Sequence, residues 1–234
     1  ISLFTHEGEL VLDPFVGSGT TLLAANDLNR NAVGFDLKEE YVQVSRSRLP
    51  YEFSHELPDE YDGDGTRQIA FCDDARNIPD YLEEESISLI MTSPPFANLL
   101  NRPRLNKSRR GAERKNNQYL KNEQYSQDDR DLGTLTVDDF QMEMAKIFEG
   151  FLPLLKERGH CVIDVPDMWW ENQRITIHMA VVEALREVGY ELRNTVIWDR
   201  TNIVNRVGIF GWPSNYITMG TTFEYLLDFW KPQR

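Results

Sequence analysis

Residues 11–21 read VLDPFVGSGTT, a short apolar strand that runs into a glycine-containing loop and then into a helical stretch. Gly17 and Gly19 allow the backbone of this loop to turn tightly and to approach a ligand closely. The amino terminus of the following helix would face that ligand with free N–H groups. The loop lacks both the Gly-Lys-Ser/Thr ending of a Walker loop and the G-x-G-x-x-G pattern, so it gives little support for pyrophosphate binding.

Strand-like and helix-like patterns alternate along the rest of the chain. We predict strands at residues 11–12, 32–36, 68–72, 86–91, 161–165, 195–198 and 223–230, and helices at residues 20–28, 38–49, 136–156 and 175–188. This alternation predicts an α/β fold with a doubly wound, mostly parallel seven-stranded sheet, within a single domain over residues 1–234. The last two strands have no helical pattern between them, so we expect the last strand to pair antiparallel.

Acidic residues follow the second and third predicted strands. Asp36 closes the second strand, where an acid in a doubly wound sheet accepts hydrogen bonds from ribose hydroxyls. Asp73 and Asp74 end the third strand at the same predicted edge. The alternative interpretations are a solvated Asp36 and helix-capping roles for Asp73 or Asp74.

The fourth predicted strand ends on Thr92-Ser93-Pro94-Pro95-Phe96. Two consecutive prolines cannot donate ladder hydrogen bonds, so the strand must stop there. A hydroxyl, a free carbonyl and a flat apolar ring at a strand end suit recognition of a flat ring that bears an amino group. The alternative is a Pro-Pro turn that merely ends a buried strand.

The charges are strongly segregated. The formal net charge of −13 by itself argues against nucleic acid, yet residues 101–121 carry eight basic side chains and one acid. That pattern is typical of a polyanion-binding loop on an acidic body. The polar stretch 97–133 around it is far longer than an ordinary connection, which is typical of functional or disordered loops.

Several classes of protein are not supported by the composition. The sequence has no apolar run of membrane-spanning length and no secretory leader, and its two cysteines and four histidines lack metal-ligand spacing. We therefore expect a cytoplasmic protein without a metal site or a membrane partner. The chain starts at Ile1 rather than Met, and we expect the natural amino terminus to lie upstream.

Three segments together, DPFVGSGTT at 13–21, GFD at 34–36 and TSPPF at 92–96, resemble the amino-group DNA methyltransferases that use S-adenosylmethionine. The resemblance implies a class I methyltransferase fold, S-adenosylmethionine as cofactor and double-stranded DNA as partner. By the same resemblance, the cofactor-binding residues are Asp13, Pro14, Phe15, Gly17, Gly19, Thr20, Asp36 and Asp74. The catalytic motif is Ser93, Pro94, Pro95 and Phe96.

The resemblance also indicates which atom of the base is methylated. Family members with Ser at the first position of the catalytic motif mostly methylate cytosine N4, so Ser93 favours that atom over adenine N6. Methylation of RNA bases and a non-catalytic DNA-binding subunit are further alternatives. The cofactor motif precedes the catalytic motif here, whereas many family members have the reverse order. The expected biological setting is a restriction–modification system; no feature of the sequence indicates an oligomeric state.

DNA contacts are expected outside these motifs. A target base must leave the duplex, which costs a few kcal/mol. In the insertion 97–133 the phosphate-binding side chains would be Arg102, Arg104, Lys107, Arg109 and Arg110. Trp198, at the end of a late strand, could form the other face of the base pocket, with core packing as the alternative.

Overall fold

The computed structural model describes residues 1–49, 66–96, 128–170, 173–201, 209–212, 216–219 and 221–233. The strands are β1 (Leu10–Asp13), β2 (Asn31–Asp36), β3 (Gln68–Cys72), β4 (Ile87–Thr92), β5 (Leu155–Val165), β6 (Met168–Trp170), β7 (Gln173–Ile175), β8 (Glu191–Asp199), β9 (Ile209–Trp212), β10 (Tyr216–Met219) and β11 (Phe223–Trp230). The helices are α1 (Thr20–Asp27), α2 (Glu39–Ser47), α3 (Val137–Phe151) and α4 (Ile177–Glu187). None of the described helices combines the length and the apolar character that crossing a bilayer requires.

Seven of these strands form one sheet in the order β3-β2-β1-β4-β5-β11-β8. Strands β1 to β5 pair in parallel, and β11 is antiparallel to both of its neighbours. The predicted doubly wound sheet with an antiparallel last strand is therefore confirmed. The strand order reverses between β1 and β4, and ligands of such sheets bind in the crevice at this point, beyond the carboxyl ends of the strands.

Side chains of the central strands alternate between two apolar layers. Val11 and Leu89 pack in one layer with residues of α1 and α2, while Leu12 and Ile90 pack in the other with residues of α3 and α4. All four are fully buried, and each such side chain contributes about 1.5–3 kcal/mol through removal from water. Helices on both faces leave the carboxyl edge of the sheet as the open side.

The prediction of one helix over residues 136–156 is wrong at its carboxyl end. Its start is right, because the Thr136 hydroxyl accepts the Asp139 N–H at 3.2 Å as an amino-terminal cap. The helix nevertheless ends at Phe151, and β5 begins at Leu155 instead of residue 161. Pro153 lies between the two elements and has no N–H with which to continue the helix. The predicted helix is too long because the buried Leu155 continues the helical spacing of apolar residues beyond the true helix end.

Two short antiparallel hairpins were not predicted. Strands β6 and β7 pair directly after β5, and β9 pairs with β10 before β11. Their strands have only three or four residues each, too few for a two-residue periodicity to be recognised in the sequence.

Candidate active site

A cavity of about 370 Å³ lies at the carboxyl edge of the parallel strands. Its wall comes from the segments that follow β1, β2, β3 and β4, from the segment that precedes α3 and from one side of α3. The lining residues are Pro14, Phe15, Gly17, Ser18, Asp36, Leu37, Lys38, Tyr41, Asp73, Asp74, Ala75, Arg76, Ser93, Pro94, Pro95, Phe96, Arg130, Asp131, Leu132 and Ile147. The glycine loop (residues 14–19) and the Ser-Pro-Pro-Phe turn (residues 93–96) thus face one space, although they are 74 residues or more apart in the sequence. No group of three or more His, Cys, Asp or Glu among the described residues could hold a metal ion.

The glycine loop is held in backbone conformations that suit glycine. Gly17 has φ of 50° and Gly19 has φ of 82°, both in the left-handed region. A Cβ atom on Gly19 would also clash with the side chain of Ser45 in α2. These two glycines allow the loop to turn from β1 into α1, and Gly19 also allows it to pack closely against α2.

Asp36 joins the glycine loop to the end of β2. Its Oδ2 accepts the Gly17 N–H at 3.0 Å, and its Oδ1 accepts the Lys38 N–H at 2.9 Å. Burial raises the pKa of this carboxyl above its usual value, and the two N–H donors oppose that shift. An ionised carboxylate has about four acceptor positions, so two remain for a ligand in the cavity.

Asp74 lines the cavity but is closely paired with a cation. Both of its carboxylate oxygens lie 3.0 Å from Nη1 of Arg76, and Oδ1 also accepts the Arg76 backbone N–H at 3.0 Å. Arg76 in turn donates from Nη2 to Glu143 in α3 at 2.8 Å. Asp74 therefore has the helix-capping role that was the alternative interpretation of the sequence, and it also lines the cavity.

The Ser-Pro-Pro-Phe turn follows β4 directly. Ser93 is exposed, Pro94 is buried, and Pro95 and Phe96 are half-buried, and all four line the cavity. The preceding Thr92 is buried, and its hydroxyl donates to Asp13 Oδ1 at 2.7 Å. The predicted end of the strand at the two prolines matches the end of β4 at Thr92.

Three of the predicted cofactor-binding residues lie away from the cavity wall. Asp13 is buried beneath the glycine loop, Gly19 packs against α2, and Thr20 is exposed at the start of α1. Pro14, Phe15, Gly17, Asp36 and Asp74, in contrast, are all in the wall. The cavity thus gathers five of the eight predicted cofactor-binding residues.

The predicted DNA-binding residues Arg102, Arg104, Lys107, Arg109 and Arg110 lie outside the described residues. Trp198 is described, near the end of β8 at one side of the sheet, and 40% of its surface is exposed. The Arg200 guanidinium lies 5.2 Å from the centre of its ring. Trp198 is therefore a surface residue outside the cavity wall, not a core residue.

Sequence reasoning missed an acidic pair near the Ser-Pro-Pro-Phe turn. In β4 and β5, Thr92 pairs with Ile163, so Ser93 and Asp164 are the next residues along two adjacent strands. Burial and the neighbouring Glu224 carboxylate raise the pKa of Asp164 to about 7. Glu224 also pairs with Arg200, whereas Asp164 Oδ1 has no hydrogen-bond partner among the described residues. The signal in the sequence was an acid within the apolar run of residues 161–165.

Residues 1–47 match the DNA methylase family of N6 and N4 methyltransferases. The type II methyltransferase M.HpaI of Haemophilus parainfluenzae is 46% identical over 50 residues, which are 21% of this chain and 16% of that protein. The type II methyltransferase M2.DpnII of Streptococcus pneumoniae is 50% identical over 48 residues, which are 20% of this chain and 18% of that protein. The matches therefore span less than a fifth of either relative. The family match over residues 1–47 contains the glycine loop and Asp36.

At the level of the fold, the whole chain is similar to solved methyltransferases. A solved S-adenosylmethionine-dependent methyltransferase from Methanosarcina mazei superposes with a TM-score of 0.54 at 10% identity, covering 100% of this chain and 97% of that one. At this identity the likeness concerns the fold alone. The expectation of a class I methyltransferase fold is confirmed, and the match over residues 1–47 supports the expected amino-methylase family. Residues 1–47 thus match the N6/N4 family of DNA methylases, and the chain as a whole has a class I methyltransferase fold.

Proposed function

We propose that this protein transfers a methyl group from S-adenosylmethionine to the exocyclic amino group of a base in double-stranded DNA, with cytosine N4 as the target atom. The observation that carries the proposal is the shared cavity. Gly17 and Asp36, which belong to the cofactor segment, line the same space as Ser93 and Phe96. A transfer between two bound reactants requires that both sites open into one space.

The residues on the cofactor side fit S-adenosylmethionine. A cavity of about 370 Å³ lies in the range of ligand pockets, and apolar Phe15 and Leu37 stand in its wall beside Asp36. The free acceptor positions of Asp36 suit the two hydroxyls of a ribose. When bound, the cofactor supplies an electrophilic methyl group on a positively charged sulfur.

The residues on the base side would orient the amino group. Ser93 Oγ and the Pro94 carbonyl oxygen can accept its two N–H bonds and thereby direct the nitrogen lone pair towards the methyl carbon. The half-buried Phe96 ring offers a flat apolar face for the base to stack on. Such positioning of two reactants can supply about 7–11 kcal/mol of the barrier reduction.

A proton must leave the amino nitrogen after the transfer. The new N–C bond forms as the C–S bond breaks, and the methylated nitrogen then carries a positive charge until it loses one proton. Asp164 follows the residue of β5 that pairs with Thr92, just outside the cavity wall, and we assign its carboxylate as the acceptor of that proton. A pKa near 7 keeps a substantial fraction of this carboxyl ionised at neutral pH.

The DNA side of the proposal rests on the family and on charge. The matched relatives are type II methyltransferases, and eight basic residues lie within residues 101–121, directly after the catalytic motif. Neutralising phosphates with such side chains gives affinity that falls steeply with salt. Ser93 favours cytosine N4, and adenine N6 is the alternative target.

Product analysis tests the proposal. The protein is incubated with S-adenosylmethionine labelled in the methyl group and with unmethylated genomic DNA, which is then digested to nucleosides. We expect label in N4-methylcytosine, its loss in Ser93→Ala and its retention in Ser47→Ala, an exposed serine at the end of α2. Label in N6-methyladenine alone would overturn the cytosine assignment. A parallel incubation replaces the DNA with transfer RNA, and label in transfer RNA but none in DNA would overturn the proposal itself.

A further inference from the structure

The carboxylate of Asp13 is buried where the glycine loop meets the end of β4. Its Oδ1 accepts hydrogen bonds from Thr92 Oγ1 at 2.7 Å and from the Phe15 N–H at 3.1 Å. Its Oδ2 accepts one from Thr21 Oγ1 at 2.5 Å. One side chain thus connects the loop, the first turn of α1 and the residue that precedes Ser93.

On the catalytic side, Thr92 is the residue through which the Ser-Pro-Pro-Phe turn can be held. Pro94 and Pro95 have no N–H, so the backbone of the turn offers few donors with which to fix its own orientation. The buried Thr92 hydroxyl supplies a fixed point one residue before Ser93. A shift of Asp13 would therefore move the start of the turn.

On the cofactor side, the same carboxylate holds the loop at two points. The Phe15 N–H belongs to the part of the loop that lines the cavity, and Thr21 lies in the first turn of α1. Together they set the position of the loop backbone relative to β1. A shift of Asp13 would therefore also move the wall that the cofactor would touch.

We propose that Asp13 is a positioning residue that couples the glycine loop to the Ser-Pro-Pro-Phe turn. Occupancy of either side of the cavity then favours the productive geometry of the other, which deepens the proposed function and rests on it. Neither Asp13 nor Thr92 is in the cavity wall, so both act through the residues that they hold. Charge-assisted hydrogen bonds in a buried setting are strong and directional, and such coupling is reciprocal by thermodynamic necessity.

Two isosteric changes test the coupling while leaving Asp13 in place. Thr92→Val removes the donor on the catalytic side, and Thr21→Val removes the donor on the loop side. For each variant, calorimetry measures the affinity for S-adenosylhomocysteine, and methyl transfer to DNA is measured at saturating S-adenosylmethionine. We expect Thr92→Val to weaken the affinity about fivefold and Thr21→Val to lower turnover about fivefold. The double variant should lose much less than the product of the single losses, because both act through one carboxylate.

Thr195→Val, an exposed threonine in strand β8, is the matched control and should change neither quantity. If Asp13 had a purely structural role, the variants would have lower melting temperatures. Thr92→Val would then lower only turnover, Thr21→Val would weaken only the affinity, and the losses would multiply in the double variant. That result would overturn the coupling even if DNA is methylated. The affinity for S-adenosylhomocysteine could fall in Thr92→Val, and fall less in the double variant than the product of the single losses, in a protein that methylates no DNA. That result would overturn the proposed function but uphold the coupling. Absence of S-adenosylhomocysteine binding by the unaltered protein would overturn both.

Discussion

The carboxyl edge of the sheet has two halves that differ in how their acidic side chains are engaged. In the cofactor half, at the ends of β1, β2 and β3, Asp36 accepts two backbone N–H groups and Asp74 is paired with Arg76. In the base half, at the ends of β4 and β5 and the start of β11, Asp164 Oδ1 lacks a partner among the described residues, and Ser93 is exposed. The cofactor half is thus preorganised by the chain itself, whereas the base half presents the exposed Ser93 to a substrate.

The two halves also differ in how they relate to the family match. The family match over residues 1–47 contains the glycine loop and Asp36 but ends well before Ser93. Asp13 stands between the halves, since it belongs to the matched segment and yet bonds to Thr92. If the two halves have the distinct roles proposed for them, substitutions in each half should change different measured quantities.

The largest effect is expected at Asp13, the residue between the halves. Burial raises the pKa of its carboxyl from 3.8 to about 6, so the folded protein holds this proton more tightly than the unfolded chain. Its contribution to the free energy of unfolding is therefore greatest at low pH and declines by about 3 kcal/mol as pH rises from about 4 to about 6. Denaturant unfolding across this pH range should show that decline in the unaltered protein and lose it in Asp13→Asn. Asp138→Asn, an exposed carboxylate in the first turn of α3, is the control.

The next effect is expected in the base half. Asp164→Asn should lower turnover about 100-fold, because a positioned proton acceptor contributes at least that much. Since the ionised form accepts the proton, turnover of the unaltered protein should rise with pH through about 7, and this rise should be absent in the variant. The affinity for S-adenosylhomocysteine should stay the same. Asp199→Asn, on the edge strand β8, is the control; an unchanged pH profile in Asp164→Asn would remove Asp164 from the mechanism.

A smaller effect is expected in the cofactor half. Asp36→Asn keeps one acceptor oxygen but loses the charge, and we expect the affinity for S-adenosylhomocysteine to fall about tenfold. Turnover at saturating cofactor should change little, which is the opposite of the outcome at Asp164. Calorimetry and initial rates measure the two quantities. A variant that binds normally but turns over slowly would assign Asp36 to the base half instead.

Much of the fold could be predicted because its signals are local. The apolar runs of β1 to β4, the glycines between β1 and α1, and the two prolines after Thr92 each constrain the backbone within a few residues. The carboxyl end of α3 could not be predicted, because Leu155 continued the helical spacing of apolar residues past Pro153. At this point Pro153, which has no N–H to continue a helix, indicates the helix end better than the spacing of apolar residues does.

The site could be predicted only in part, because some of its interactions join distant segments. The hydrogen bond from Thr92 to Asp13 spans 79 positions of the sequence, and no pattern within either segment indicates it. Asp13 was thus predicted to bind the cofactor when its carboxylate lies beneath the loop. Asp164 went unassigned for the same reason, since its place beside Ser93 follows from the register of β4 and β5.

A crystal structure of the protein with S-adenosylhomocysteine tests directly whether the cofactor occupies the cavity that the Ser-Pro-Pro-Phe turn also lines. We expect the ribose hydroxyls within hydrogen-bond distance of the Asp36 carboxylate and the sulfur facing the space beside Ser93 and Phe96. Ligand density away from Asp36, or a sulfur turned from the Ser-Pro-Pro-Phe turn, would contradict the shared cavity and with it the proposed transfer.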